Sequence, residues 1–250
     1  MITDVILRIA QLYPDRMAIN GDNGNLTVLT NRLRWRGLAF ETTDVSVGDR
    51  LKSEELDLIL FGGAEDWLIQ TAIAEDLTQT KERSLREAAI RNTVILATGG
   101  GYQLCGQYME TLEGKRIPGA GLLDLWTREG TKTMAGRVIV ECRWLTPDKL
   151  VGMERHSGQS YLGRNATPLG RRVLGSGNNG EDPAEGCRNR HVFGANLSGP
   201  ILAYNPHFAD HLLQLAIQRH IPDYLLPRLN DTAEWALYQQ AMEQAGRTEG

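Results

Sequence analysis

Apolar and polar positions fall into two rhythms along this chain. "ITDVILRIAQLYP" mixes alternation with an apolar centre and predicts an opening strand ending near Tyr13 and Pro14. "LTVLTNRLRWRG" has helical spacing, with Asn25 placed to cap its start and Gly37 to end it. "LAFETTDV" predicts a second short strand. "LDLILFGG", Leu56 to Gly63, is a continuous apolar run closed by glycines, the pattern of a strand buried on both faces. "AEDWLIQTAIAEDLTQTKERSLREAAIRN" is helical in composition. "TVILATGGG" repeats the strand-then-glycine pattern, and "YQLCGQYMETL" returns to helix.

The first 110 residues therefore read β-α-β-β-α-β-α, which predicts an α/β fold with a mostly parallel, doubly wound sheet flanked by helices. Ligands of such sheets gather beyond the carboxyl ends of the strands. Three turns fall there: Gly21 to Asn25, Gly62 to Asp66, and Gly99 to Gly101. The second half changes character. "GRVIVECRWL" alternates as a strand does, and the stretch from "LVGMERHSGQSYLG" to "GANLSGPIL" is rich in Gly, Asn and short apolar pieces. These predict added strands joined by tight turns. "NPHFADHLLQLAIQRH" is an amphipathic helix, and "NDTAEWALYQQAMEQAGRTEG" a last helix that frays from about residue 244. No linker or repeat divides the chain, so residues 1–250 read as a single domain.

Composition narrows the classes. With 250 residues, 41% apolar and 23% charged, the chain can bury a core without metals or disulfides. A net charge of −4 gives no electrostatic reason for a nucleic-acid partner. The N-terminal stretch lacks the basic start and apolar run of a signal peptide, and no run approaches the length of a membrane span. Three widely spaced cysteines, Cys105, Cys142 and Cys187, fit a reducing compartment, so the expected localisation is cytoplasmic.

Candidate chemistry centres on "ILATGGGYQLCG", residues 95 to 106. Strand, tight turn and helix is the layout that lifts a nucleophile above a sheet, yet the tip carries none. "TGGGYQ" lacks the GK[ST] of a phosphate loop and does not make GxGxxG. Cys105 lies six residues beyond Gly99, too far into the helix to act at the turn, and reads as a small apolar filler. The five histidines show no paired metal-ligand spacing. His207 and His211, four apart, could hold a metal, but an exposed helical face is the commoner reason for such a pair. Arg164, Arg171, Arg172, Arg188 and Arg190 read as solvated loop residues, with an anionic ligand or partner as the alternative. No cofactor or metal is expected.

Together, "YPDRMAINGDNGN", "LILFGGAED", "GGYQLCG", "GMERHSGQSYLG", "GSGNNGED" with "EGC", and "LSGPILAYNPHFADHLL" occur in one order from about Tyr13 to Leu213. In that order they resemble the glutaminase subunit of lipid II isoglutaminyl synthase, a class I glutamine amidotransferase-like family related to cobyric acid synthase. The resemblance implies glutamine hydrolysis by an elbow cysteine, a histidine before the "GPIL" segment and an acidic residue in the first turn. It also implies that ammonia passes to a Mur-ligase-like partner that amidates the peptidoglycan stem peptide.

Carried over by position, the elbow cysteine falls on Gly99, the histidine on Ser198, and a glutamine-holding arginine near Thr133. Only Asp22 of the acidic turn remains, and the family's triple glycine is here Gly62-Gly63-Ala64. Glycine cannot attack a carbonyl, and serine is no general base near pH 7. Triad members act as a unit, so losing both removes their shared contribution. The resulting expectation is a pseudo-glutaminase, its scaffold and docking surface kept, with Gly62, Gly63, Gly100, Tyr102, Gln103 and Thr133 around a pocket. Two alternatives stand beside it: a module binding a small metabolite in the vacated pocket, and an active glutaminase using Cys105 or Ser198.

Overall fold

The computed structural model describes residues 5–18, 21–64 and 66–247; residues 2–4 of the predicted opening strand lie outside them. The first half runs β1 (Ile6–Leu12), α1 (Asn23–Trp35), β2 (Ala39–Val45), β3 (Leu58–Phe61), α2 (Trp67–Asp76), α3 (Glu82–Ile90), β4 (Val94–Thr98) and α4 (Gly100–Leu104). The second half adds β5 (Tyr108–Glu110), β6 (Arg116–Pro118), β7 (Leu125–Arg128), β8 (Met134–Glu141), β9 (Lys149–His156), β10 (Gln159–Leu162) and β11 (Gly170–Leu174). It closes with β12 (Ala184–Glu185), β13 (Cys187–Asn189), β14 (Val192–Ala195), β15 (Leu197–Ser198), α5 (Ile201–Tyr204), α6 (Pro206–Gln218) and α7 (Thr232–Gly246).

The predicted α/β class is correct. A six-stranded sheet has the order β13-β14-β4-β3-β1-β2, parallel except for β13 at one edge. The apolar runs of β3 and β4 are buried along their whole length because the sheet is covered on both sides. Alternate residues serve opposite cores, as a two-residue period demands. Ile59, Phe61, Ile95 and Ala97 pack with Ile73, Leu77 and Leu85 of the α2–α3 side. Leu58, Leu60, Val94 and Leu96 pack with Leu29 and Leu33 of α1 and Phe208 and Leu212 of α6. The Gly- and Asn-rich second half forms a four-stranded sheet, β10-β7-β5-β6, and a five-stranded one, β12-β11-β8-β9-β15.

Gly37 ends α1 as expected. Its φ is +65°, its N–H reaches Arg34 O, and the Leu38 N–H reaches Leu33 O, the Schellman arrangement. Asn25 is not the cap: Asp22 holds the N-cap position and Asn25 is buried inside the helix. The stretch read as one helix after Asp66 contains a π turn at residues 77–81 between α2 and α3. That register brings Asp76 and Lys81, five apart, within 2.6 Å, and the otherwise buried ammonium is thereby paired. Asp76 also accepts from Tyr13 Oη at 2.8 Å. At the other end, α7 holds helical geometry through Gly246 with Ala245 fully buried, and residues 248–250 of the expected frayed tail lie outside the described residues.

The last third is tied to α1 by a buried guanidinium. Arg32 of α1 bridges Asp210 of α6 at 2.6 and 2.7 Å, and Asp231 before α7 at 2.7 and 2.9 Å. Removing Arg32 leaves Asp231 without this partner while Asp210 keeps Arg36 at 2.6 Å, and breaking one side of a buried pair costs about 3 kcal/mol or more. Arg32→Met is expected to lower urea stability by about 3 kcal/mol and to expose the α7 segment to limited proteolysis. An unchanged midpoint would mean the bridge contributes nothing net.

Candidate functional site

The three predicted turns do meet beyond the carboxyl ends of β1, β3 and β4. Asp22, buried in the first, accepts from Thr98 Oγ1 at the end of β4 at 2.6 Å and from the Gly63 N–H of the second turn at 3.4 Å. Burial raises its pKa, while the Thr98 hydroxyl and the amides of Gly63 and Gly199 oppose that rise. Gly199 follows Ser198, so one carboxylate fastens all four segments of interest. Asn25 completes the arrangement: its Nδ2 donates to Gly199 O and its Oδ1 accepts from Leu202 N, both at 3.0 Å.

Close approach of backbones explains the glycines here. A Cβ on Gly101 would meet Phe61 O and stand 2.7 Å from Gly62 O. One on Gly24 would lie 2.6 Å from Pro200 Cβ. Gly99 differs. It has φ +50° and ψ −120°, the strained elbow conformation, but a Cβ there would touch only Gly63 Cα at an ordinary 3.5 Å. The elbow tip thus has room for a Cβ and carries none. Its N–H donates to Ala195 O at 2.8 Å, which brings the strand leading to Ser198 alongside. Ser198 is half-buried, its Oγ 3.4 Å from Met153 O across the β15–β9 pair.

Gly99, Gly100, Gly62, Gly63, Asp22 and the Ser198 segment are therefore brought together. Tyr102 and Gln103 face inward, behind the elbow. Tyr102 Oη donates to Asn178 Oδ1 at 3.0 Å, and Gln103 shares a hydrogen bond with Gln70 at 2.9 Å and a longer one with Asn196. Thr133 lies elsewhere: it is exposed and lines a separate cleft of about 840 Å³ with Arg128, Lys132 and Gln159. The void beside Asp22, Asn25, Gly62 and Thr98 is about 10 Å³, space for one water.

Cys105 is fully buried and its thiol is pushed up to about 12 by that burial and by nearby Cys187, so it is neither accessible nor ionised. The arginine group does not converge: Arg171 pairs with Glu141, Arg172 donates to Gly175 O, and Arg188 lies over Trp144. His207 and His211 form no exposed face. His207 stacks on Trp235, and His211 packs against Trp144 and Phe193. Among the described residues no group of three His, Cys, Asp or Glu could hold a metal ion. No described helix is long and apolar enough to cross a membrane.

Sequence reasoning missed the buried polar shell behind the elbow: Gln70, Asn178, Asn196, Glu154, His156 and Glu185. Two signals pointed to it, because "GMERHSG" and "GSGNNGED" were singled out as motifs, although no role followed from them.

A parallel sheet with an elbow after its central strand, and with later strands bearing on the elbow, defines a class I glutamine amidotransferase-like fold. Solved structures agree. PurLQS from Thermotoga maritima is similar with a TM-score of 0.58 at 19% identity, covering 85% of this chain and 98% of that one. A structure described as a glutamine amidotransferase is similar with a TM-score of 0.55 at 17% identity, covering 83% and 98%. The sequence matches the CobB/CobQ-like glutamine amidotransferase domain over residues 8–206, and the chain belongs to that family. It is 35% identical to the lipid II isoglutaminyl synthase (glutamine-hydrolyzing) subunit GatD of Streptococcus pneumoniae, over 90% of this chain and 86% of the relative. Against the protein of the same description from Staphylococcus aureus it is 29% identical, over 96% and 97%.

Two measurements check the site's physics. Gly101→Ala must displace backbone and is expected to cost about 3 kcal/mol, whereas Gly99→Cys meets strain alone and is expected to cost about 1 to 2 kcal/mol. Urea unfolding that reversed this ranking would refute the crowding argument.

The second measurement is acid stability. Burial first of all lowers His207 and His211 to about 4. The unfolded chain, near 6.5, therefore binds protons more readily. Their contribution is complete above about pH 6.5 and is lost as pH falls towards 4. Thermal melting should show this drop, and His211→Phe, which keeps the aromatic contacts, should make it shallower.

Proposed function

We propose that this chain is a catalytically silent glutamine amidotransferase-like subunit, built as one domain over residues 1–250. In this reading it pairs with a Mur-ligase-like, ATP-dependent amide ligase and supports or regulates it in cell-wall precursor amidation. The observation that carries the reading is the combination at Gly99. The elbow conformation is kept and there is room for a Cβ, yet the residue has no nucleophile and the segment opposite presents Ser198 rather than a base. Acyl transfer from glutamine needs a nucleophile and a base within hydrogen-bond reach of it. Neither residue type supplies the chemistry near pH 7. Cys105 offers no substitute, because it is sealed from solvent with its thiol protonated.

The subunit reading draws on the two GatD proteins, each described as a subunit and matched over most of its length. A metabolite held between Asp22, Gly62, Gly99 and Ser198 is the weaker reading: small-molecule sites occupy roughly 300 Å³ or more, and the void that Asp22 and Gly62 line is about 10 Å³ and reaches neither Gly99 nor Ser198.

The test is ammonia release from glutamine by the purified chain, alone and mixed with the Mur-ligase-like protein from the same source, with co-elution on size exclusion as a parallel readout. The expected result is a background rate in both cases together with a stable complex. Turnover above background would overturn the silent assignment, and failure to co-elute would overturn the partner assignment.

A further inference from the structure

Behind the Ser198 segment, Glu154, His156 and Glu185 form a cluster that the functional reading does not use. All three are buried, at 3%, 8% and 1% exposure. Glu154 Oε1 accepts the Ser176 N–H at 2.6 Å, and its Oε2 accepts the Gly177 N–H at 3.0 Å. Glu185 Oε1 accepts the Asn196 N–H at 2.7 Å, one peptide before the strand that bears Ser198. His156 Nδ1 is bonded to Gly158 O at 2.8 Å. Two atoms are left over. His156 Nε2, 3.7 Å from Glu154 Oε2, and Glu185 Oε2 are buried with no hydrogen-bond partner.

Unpartnered polar atoms in a low-dielectric interior are costly, and a carboxylate that cannot share its charge is the costlier case. The geometry points to a proton-operated latch: protonation of Glu185 in the Glu154–His156–Glu185 cluster sets how firmly the 175–179 turn and the 195–198 segment are held at the elbow. With its proton, Glu185 is neutral. Without it, a second buried negative charge stands near Glu154, and each carboxylate holds the backbone of a different segment. The cluster does not depend on whether the elbow hydrolyses glutamine.

Charged neighbours do not remove this dependence. On the cluster's face of β9, β8 presents only Gly136 and Met134, and β15 presents Leu197. Tyr102 of α4 and Cys142 after β8 lie within electrostatic reach of Glu185, with their own pKa values raised by burial. Arg172 of β11 is committed to Gly175 O, and Asp182 is bonded to the Asn179 side chain. Burial pushes Glu185 up to about 7, with the His156 charge opposing and Glu154 adding. A raised carboxyl pKa makes the folded form bind protons more tightly than the unfolded chain. The folded arrangement is therefore favoured below about pH 4.5 relative to high pH, and loses that advantage as pH rises through about 7.

The experiment is hydrogen–deuterium exchange of the full chain at pH 6 and pH 8, corrected for intrinsic exchange. Residues 175–179 and 195–198 are expected to lose protection at pH 8, while β3 and β4 do not. Glu185→Gln, a neutral isostere, is expected to stay protected at both values. His156→Gln removes the imidazole that opposes the rise at Glu185, so the midpoint of the transition should move to higher pH. Equal protection of wild type at both pH values would overturn the latch. So would a Glu185→Gln protein that loosens as wild type does, or a midpoint unmoved by His156→Gln.

Discussion

Asp22 is the point at which the strand ends are joined. A buried carboxylate needs donors, and this one takes them from Thr98 and Gly63 and gains from the amide of Gly199. Each donor sits on a different segment: the last residue of β4, the turn after β3, and the peptide after Ser198. Their mutual placement follows from satisfying one side chain. Asn25, one helical turn further on, fixes the Gly199 peptide from its other side. The elbow is thus held by hydrogen bonds that do not involve a side chain at its tip.

The second constraint is backbone crowding. The turn after β3 and the start of α4 come so close that Gly101 faces the carbonyls of Phe61 and Gly62 where a side chain would be. This is why glycines recur after both strands. Scaffold demands and chemical demands fall on neighbouring positions, and on the proposed reading the first set is met without the second.

Legibility followed the kind of interaction. The runs of β3 and β4 were plain because burial on both faces leaves one reading, and the Schellman end at Gly37 was plain because the backbone there needs glycine. Asn25 was misassigned because an Asn near a helix start signals a local cap, whereas its partners lie more than 170 residues away in the chain. Tyr102 and Gln103 were expected at a pocket, but whether a helical residue faces out or in depends on polar partners such as Asn178 that no local pattern reveals. His207 and His211 were read as a solvent face because their aromatic covers come from the 144, 193 and 235 regions. The π turn is hidden for the same reason, since it serves a buried Asp76–Lys81 pair.

Gly99 has a consequence for the history of the fold. At φ +50° and ψ −120° an L-residue is strained and glycine is not. On the proposed reading, losing the elbow nucleophile released stress that an active enzyme must hold, so the change was downhill for folding even as it ended a reaction. Regaining activity would require strain at Gly99 and a base at Ser198 together, with no benefit from either alone. Such a loss behaves as a ratchet.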